Sequence, residues 1–179
     1  MSGHDPELQA RVGAAIRAVP DFPKAGILFR DITTALADGP LFTRICDWFA
    51  GLAREARVDR VAGIESRGFV FAAPVAHSLS IPLVLVRKPG KLPWRTRSAT
   101  YELEYGTDSV EVHEDAVRPG EKVMLVDDLL ATGGTAEATA RLLREIGGEV
   151  AVVAFLIELA ELDGRSRLGG LEVHSLVSY

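Results

Sequence analysis

The chain has 179 residues, 47% hydrophobic and 25% charged, with a net charge of −5. Those values exclude intrinsic disorder and imply one domain over residues 1–179, long enough to fold around its own core. The acidic balance argues against a nucleic-acid surface, and the lone Cys46 rules out an internal disulfide and fits a reducing cytoplasm.

The longest wholly apolar run, residues 150–157, falls far short of the ~20 residues of a membrane helix. His4, Asp5 and Glu7 interrupt any leader-like apolar segment. A soluble cytoplasmic protein with no membrane partner is the expectation.

Asp5-Pro6 reads as an N-cap with proline in the first turn, and Leu8, Val12, Ala15 and Val19 recur at helical spacing, predicting a helix over 6–19. Residues 21–31 (DFPKAGILFRD) carry too much turn chemistry for a regular element. A second helix begins near Pro40, with Leu41, Ile45, Trp48, Phe49 and Leu52 as its buried stripe. Strands at 61–64, 83–86, 123–126 and 150–157 then alternate with helices at 68–79 and 135–146. Such alternation implies a parallel sheet covered on both faces. Residues 88–118 break the pattern, and a hairpin around Gly106-Thr107 is expected within them.

The segment 123–135 (VMLVDDLLATGGT) carries the chemistry. An apolar strand runs into two carboxylates, then a short loop, then Thr-Gly-Gly-Thr opening a helix. Gly133 and Gly134 allow close backbone approach, and N–H groups at the helix start attract an anion. Gly134 is expected to need both an open path to the phosphate and a positive φ. Thr132 and Thr135 add hydroxyl donors. Asp127 and Asp128 suit vicinal ribose hydroxyls, and their charge would stabilise a cationic sugar.

This string resembles the phosphoribosyl pyrophosphate (PRPP) motif of the type I phosphoribosyltransferases. Residues 22–31 (FPKAGILFRD), 62–69 (AGIESRGF), 86–93 (VRKPGKLP) and 101–106 (YELEYG) resemble segments of the adenine phosphoribosyltransferase family, in the same order. The resemblance implies an α/β fold with a central, mostly parallel sheet flanked by helices and a small hood or hairpin insertion. It implies a purine-binding segment at 21–31 and a flexible loop and hairpin at 88–118. The activity it implies is purine salvage, adenine and PRPP giving AMP and pyrophosphate, by a homodimer using Mg²⁺ held mainly through PRPP and water.

Site residues follow by the same resemblance. Ala131, Thr132, Gly133, Gly134 and Thr135 hold the 5′-phosphate. Ser66 and Arg67 hold the leaving pyrophosphate, joined by Arg87, Lys88 and Lys91. Phe29 stacks on the base, and the backbones of Leu28 and Arg30 read its edge. Glu104 is the acid/base group near the purine, and Tyr105 closes over the site. Without the resemblance, Ser66 reads as an N-cap, Glu102 and Glu104 as solvated, and Arg95 and Arg97 as a solvated face. His4, His77, His113 and His174 show no zinc spacing, so no protein-ligated metal is expected. Two alternatives remain: another purine base, or a PRPP-sensing regulator. The latter usually carries a DNA-binding module, for which the residues before the motifs are too few.

Overall fold

Asp5 accepts a hydrogen bond from the Leu8 N–H at 2.9 Å and caps α1 (Pro6–Ala15). These and the following observations come from a computed structural model that describes residues 5–102 and 106–179. The helix stops short of the predicted Val19. Ile16 is already extended at ψ 123°, and β1 (Arg17–Pro20) pairs antiparallel with β2 (Leu28–Asp31), Val19 opposite Phe29. Asp21, at φ 58°, accepts from the Gly26 N–H at 2.8 Å and turns the chain between them. The turn-rich segment 21–31 therefore ends in a strand, because a partner strand satisfies backbone groups that local periodicity had assigned to a helix.

After the single turn α2 (Thr33–Leu36) comes α3 (Gly39–Glu55), capped by Asp38 and burying the predicted stripe. Cys46 is half-buried on α3, and burial, then the charge of Asp47, pushes its thiol up to about 11. It stays protonated and inert at neutral pH.

The chain then runs β3 (Arg60–Ile64), α4 (Gly68–Leu79), β4 (Leu83–Val86), β5 (Thr96–Glu102), β6 (Thr107–His113), β7 (Lys122–Leu130), α5 (Gly134–Glu145), β8 (Glu149–Glu158) and β9 (Val173–Ser178). Strands β4-β3-β7-β8-β9, in that order, form one parallel sheet, while β5 and β6 pair as a separate antiparallel hairpin. On one face Val61, Met124, Val126 and Val152 pack with α1, α3 and α4; on the other Ala62, Leu125, Val153 and Phe155 pack with α5 and the hairpin. Burial on both sides is why these strands read as continuous apolar runs.

One boundary differs in a way that matters. The sequence suggests a strand ending at Val126, but β7 keeps pairing with β8 through Asp127 opposite Phe155 and Leu129 opposite Ile157. Two adjacent carboxylates look like a strand end; the long partner β8 supplies ladder bonds beyond them. Asp127 and Asp128 are held by a sheet rather than a loop.

The chain leaves β3 for β4 on one side and later returns to β7 on the other. In open α/β sheets such a reversal opens a crevice beyond the carboxyl ends of the two strands.

Candidate active site

The crevice contains a cavity of about 270 Å³ lined by Glu65, Ser66, Arg67, Lys88, Asp127, Asp128 and Thr135, with Ile64 and Leu129. A smaller cavity of about 80 Å³ adjoins it, lined by residues 129–136 with Asp127 and Phe155. Asp127, Leu129 and Thr135 border both. The sequence-predicted residues Ala131, Thr132, Gly133, Gly134 and Thr135 all line the smaller cavity.

Helices α4 and α5 both begin here, and neither has a side-chain cap: the N-cap of α4 is Arg67, and that of α5 is Gly133. The reading of Ser66 as a side-chain cap is therefore incorrect; at the α4 start the Phe69 and Val70 N–H groups donate to the Ser66 and Arg67 carbonyls at 3.3 and 3.1 Å. Two helix N-termini without side-chain caps place their positive dipole ends around one cleft, an arrangement suited to two phosphate groups. The Glu65–Ser66 peptide is cis.

The positive φ expected at Gly134 belongs to Gly133, at 82°. A Cβ on Gly134 would meet the Glu102 carbonyl oxygen at 3.3 Å and Tyr101 at 3.5 Å, facing the hairpin. A Cβ on Gly133 would sit 2.4 Å from the Gly164 carbonyl oxygen. Loop geometry thus demands glycine at 133 on two counts, and adjacent glycines hid which one from the sequence.

Asp128 is buried, and its carboxylate pairs with the Arg67 guanidinium at 2.5 Å. The Asp128 N–H donates to Asp127 Oδ1 at 2.9 Å. Burial first, and then the charge of Asp128, raises the Asp127 carboxyl well above its ordinary 3.8. Gly68 makes this packing possible, since a Cβ there would lie 2.7 Å from the Val126 carbonyl oxygen.

Arg67 also stands 5.9 Å from the centre of the Phe29 ring, bridging the β1–β2 hairpin and the Asp pair. Phe22 meets Phe29 edge to face at 5.1 Å, and Leu28 is exposed beside them. The Arg30 guanidinium lies 3.7 Å over the Tyr179 ring, anchoring β2 to the residue that follows β9. The predicted purine segment is therefore an aromatic surface at the edge of the cleft, with Arg67 between it and the carboxylates.

The cationic run divides. Arg87 is held by Glu65, with Nε and Nη2 each 3.2 Å from a carboxylate oxygen, and donates to the Lys91 carbonyl at 3.0 Å. The Lys88 N–H donates to the same carboxylate at 2.9 Å. That bond and the Arg87 guanidinium hold Glu65 below the usual carboxylate range against the opposing effect of burial. The Lys88 ammonium donates to Asp108 and, at 2.9 Å, to the Tyr101 hydroxyl. Burial lowers its pKa, but those two hydrogen bonds leave it raised, so it is a permanent cation on the cleft wall. Arg97 pairs with Glu114 at 3.0 Å, and Arg95 lies against Trp94; both are surface contacts. Lys91 is exposed.

Glu65 and Asp108 are site residues that sequence reading missed. Each is an isolated acid whose only signal is the cation it holds, and that cation is distant along the chain. Glu104 and Tyr105 lie outside the described residues. Among the described residues no cluster of three or more His, Cys, Asp or Glu is placed to hold a metal.

A doubly covered parallel sheet with an Asp pair between two helix starts frames the crevice, and residues 33–169 match the phosphoribosyl transferase domain family. The adenine phosphoribosyltransferase of Desulfitobacterium hafniense is 56% identical over 92% of this chain and 95% of its own length. The crystal structure of adenine phosphoribosyltransferase from Thermoanaerobacter pseudethanolicus superposes with a TM-score of 0.92 at 48% identity, covering 96% of this chain and 99% of that one. The Saccharomyces cerevisiae enzyme, complexed with adenine and an imino-altritol bisphosphate, does so with a TM-score of 0.91 at 37% identity, over 96% and 99%. The chain belongs to the phosphoribosyl transferase family, within its adenine phosphoribosyltransferases.

Proposed function

We propose that the protein transfers the 5-phosphoribosyl group of PRPP to adenine, releasing AMP and pyrophosphate. The observation that carries this reading is the Asp127–Asp128 pair, seated between two helix N-termini without side-chain caps and bridged to an aromatic surface by Arg67. The family membership and its adenine-specific relatives support the base.

The residues divide the work by position. The start of α5 and the hydroxyls of Thr132 and Thr135 bind the 5′-phosphate. Asp127 and Asp128 accept hydrogen bonds from the ribose hydroxyls and offset positive charge as the anomeric carbon becomes cationic. The start of α4, Ser66, Arg67 and Lys88 receive the departing pyrophosphate. Arg87 and Lys91 serve the same group, with Arg87 held ready by Glu65. Adenine stacks on Phe29, and the backbones of Leu28 and Arg30 read its edge. Its N9 attacks the anomeric carbon as the bond to pyrophosphate breaks. Glu104 exchanges a proton with the purine, and Tyr105 closes over it.

Mg²⁺ would be held mainly by the oxygens of PRPP and by water, in a crevice that Glu65, Asp127 and Asp128 line. Bound this way, the ion supplies charge neutralisation of the diphosphate. No helix is long and apolar enough to cross a membrane among the described residues; a cytoplasmic homodimer is the accompanying proposal. Leu83 and Leu85 on β4 and Val70 on α4 are each partly exposed, apolar surface that a second copy could cover.

The test is an assay of free bases, one at a time, with Mg-PRPP. Adenine alone should be consumed, with AMP formed. Turnover of hypoxanthine or guanine in preference to adenine would reassign the base, and PRPP binding without any turnover would make the protein a regulator.

A related variant tests the phosphate cradle. Gly133→Ala must strain a φ of 82° and displace the Gly164 carbonyl. It is expected to weaken PRPP binding roughly 10–100-fold, read by calorimetry. Unchanged affinity would place the 5′-phosphate elsewhere.

A further inference from the structure

We propose that Gly164, which lies outside every motif of the family resemblance, is a positioning residue that sets the shape of the 131–134 phosphate loop. It starts the 3-10 turn Gly164–Leu168, which follows β8. A Cβ at this position would lie 2.0 Å from the Ala131 carbonyl oxygen and 2.9 Å from the Gly133 N. Its own carbonyl oxygen occupies the space where a Gly133 Cβ would fall, at 2.4 Å. Two backbone segments thus touch directly, and the contact requires glycine on both sides. The φ of Gly164 lies outside the left-handed region, so closeness alone makes the demand.

The turn that presents Gly164 is rigidly tied to the sheet. Arg165 makes a two-pronged ion pair with the buried Glu158, at 3.0 and 2.5 Å, and donates to the Val173 carbonyl at 2.7 Å. Leu168 is 2% exposed at the turn's other end. Glu158 lies on β8 and Val173 on β9, so the turn is clamped to two strands of the sheet that also carries β7. The loop between β7 and α5 is therefore supported from behind by a fixed surface. Its N–H groups are preorganised by contact with that surface rather than by side-chain caps, which α5 lacks.

This inference rests on the assignment of the 131–135 cradle to the 5′-phosphate, and ribose 5-phosphate and pyrophosphate, titrated separately, distinguish the two. Gly164→Ala must move the loop by about 1 Å, and a misplacement of that size is expected to weaken ribose 5-phosphate binding roughly 10–100-fold. Pyrophosphate affinity should not change, because its contacts come from other segments. Gly169→Ala is the control, since its Cβ would meet nothing nearer than 3.6 Å. Glu158→Gln, which loosens the clamp without adding an atom, should weaken ribose 5-phosphate alone and by less; it decides the matter if Gly164→Ala does not fold. Gly164→Ala with wild-type ribose 5-phosphate affinity, or variants that lose both ligands equally, would overturn the proposal. Wild-type protein that fails to bind ribose 5-phosphate would instead overturn the cradle assignment beneath it.

Discussion

Asp127→Asn combined with Asp128→Asn should abolish most turnover and leave the fold intact. The pair faces the cavity where a sugar would develop positive charge, and removing two preorganised carboxylates should lower kcat by at least ~10³-fold. Stability should move little, or upward. Burial and the neighbouring charge raise the Asp127 carboxyl above its ordinary 3.8, so the folded chain holds that proton more tightly than the unfolded one. Such a group stabilises the fold fully below the unfolded value, and the contribution is lost as pH rises through the raised folded value. Neutral asparagine at 127 removes that loss, and Tm at neutral pH should equal or exceed wild type. The other change breaks the Asp128–Arg67 pair, but the Arg67 side chain is 47% exposed and can return to water. Activity near wild type would remove the ribose assignment. Loss of the folded state would show that the pair is structural.

The second large effect is expected at Glu104. If it exchanges a proton with the purine as N9 attacks, Glu104→Gln should lower kcat roughly 10²–10⁴-fold. PRPP affinity should remain close to normal, since its contacts come from β7 and the loops after β3, β4 and β7. Glu102 is the internal comparison. It is exposed at the end of β5, and its backbone carbonyl lies close to Gly134. Glu102→Gln should therefore be silent in both kcat and KM. A small loss at 104 would indicate an orienting hydrogen bond, because glutamine preserves shape. Equal and negligible effects at both positions would take Glu104 out of the chemistry.

The sheet strands and the phosphate loop were legible because their signals are local. A strand buried on both faces must be continuously apolar, and residues 123–126 and 150–157 are. A backbone-cradled anion needs glycines at a helix start, and Gly133-Gly134 provide them. The hairpin partners β5 and β6 were visible from alternation on either side of Gly106, although Glu104 and Tyr105 lie outside the described residues. The first helix was over-extended because Val19 fits a helical period as well as a strand facing Phe29. Periodicity cannot choose between them; the availability of β2 did.

By itself, the sequence determined which residue types stand where: two carboxylates after an apolar strand, glycines before a helix, and cations in a proline-bounded run. From these came the fold class, and the resemblance added the reaction. The tertiary structure decided which of those groups are tied to one another. It carried β7 past Val126, because β8 offers backbone partners beyond that point, and so fixed the Asp pair in the sheet. It committed Arg67 to Asp128, Arg87 to Glu65 and Lys88 to Asp108, with partners 61, 22 and 20 residues apart. It moved the demand for glycine from Gly134 to Gly133, and brought Gly164 against it from the end of β8. Charge pairing and backbone contact act over a few ångströms between segments that folding alone brings together, and no reading along the chain contains that distance.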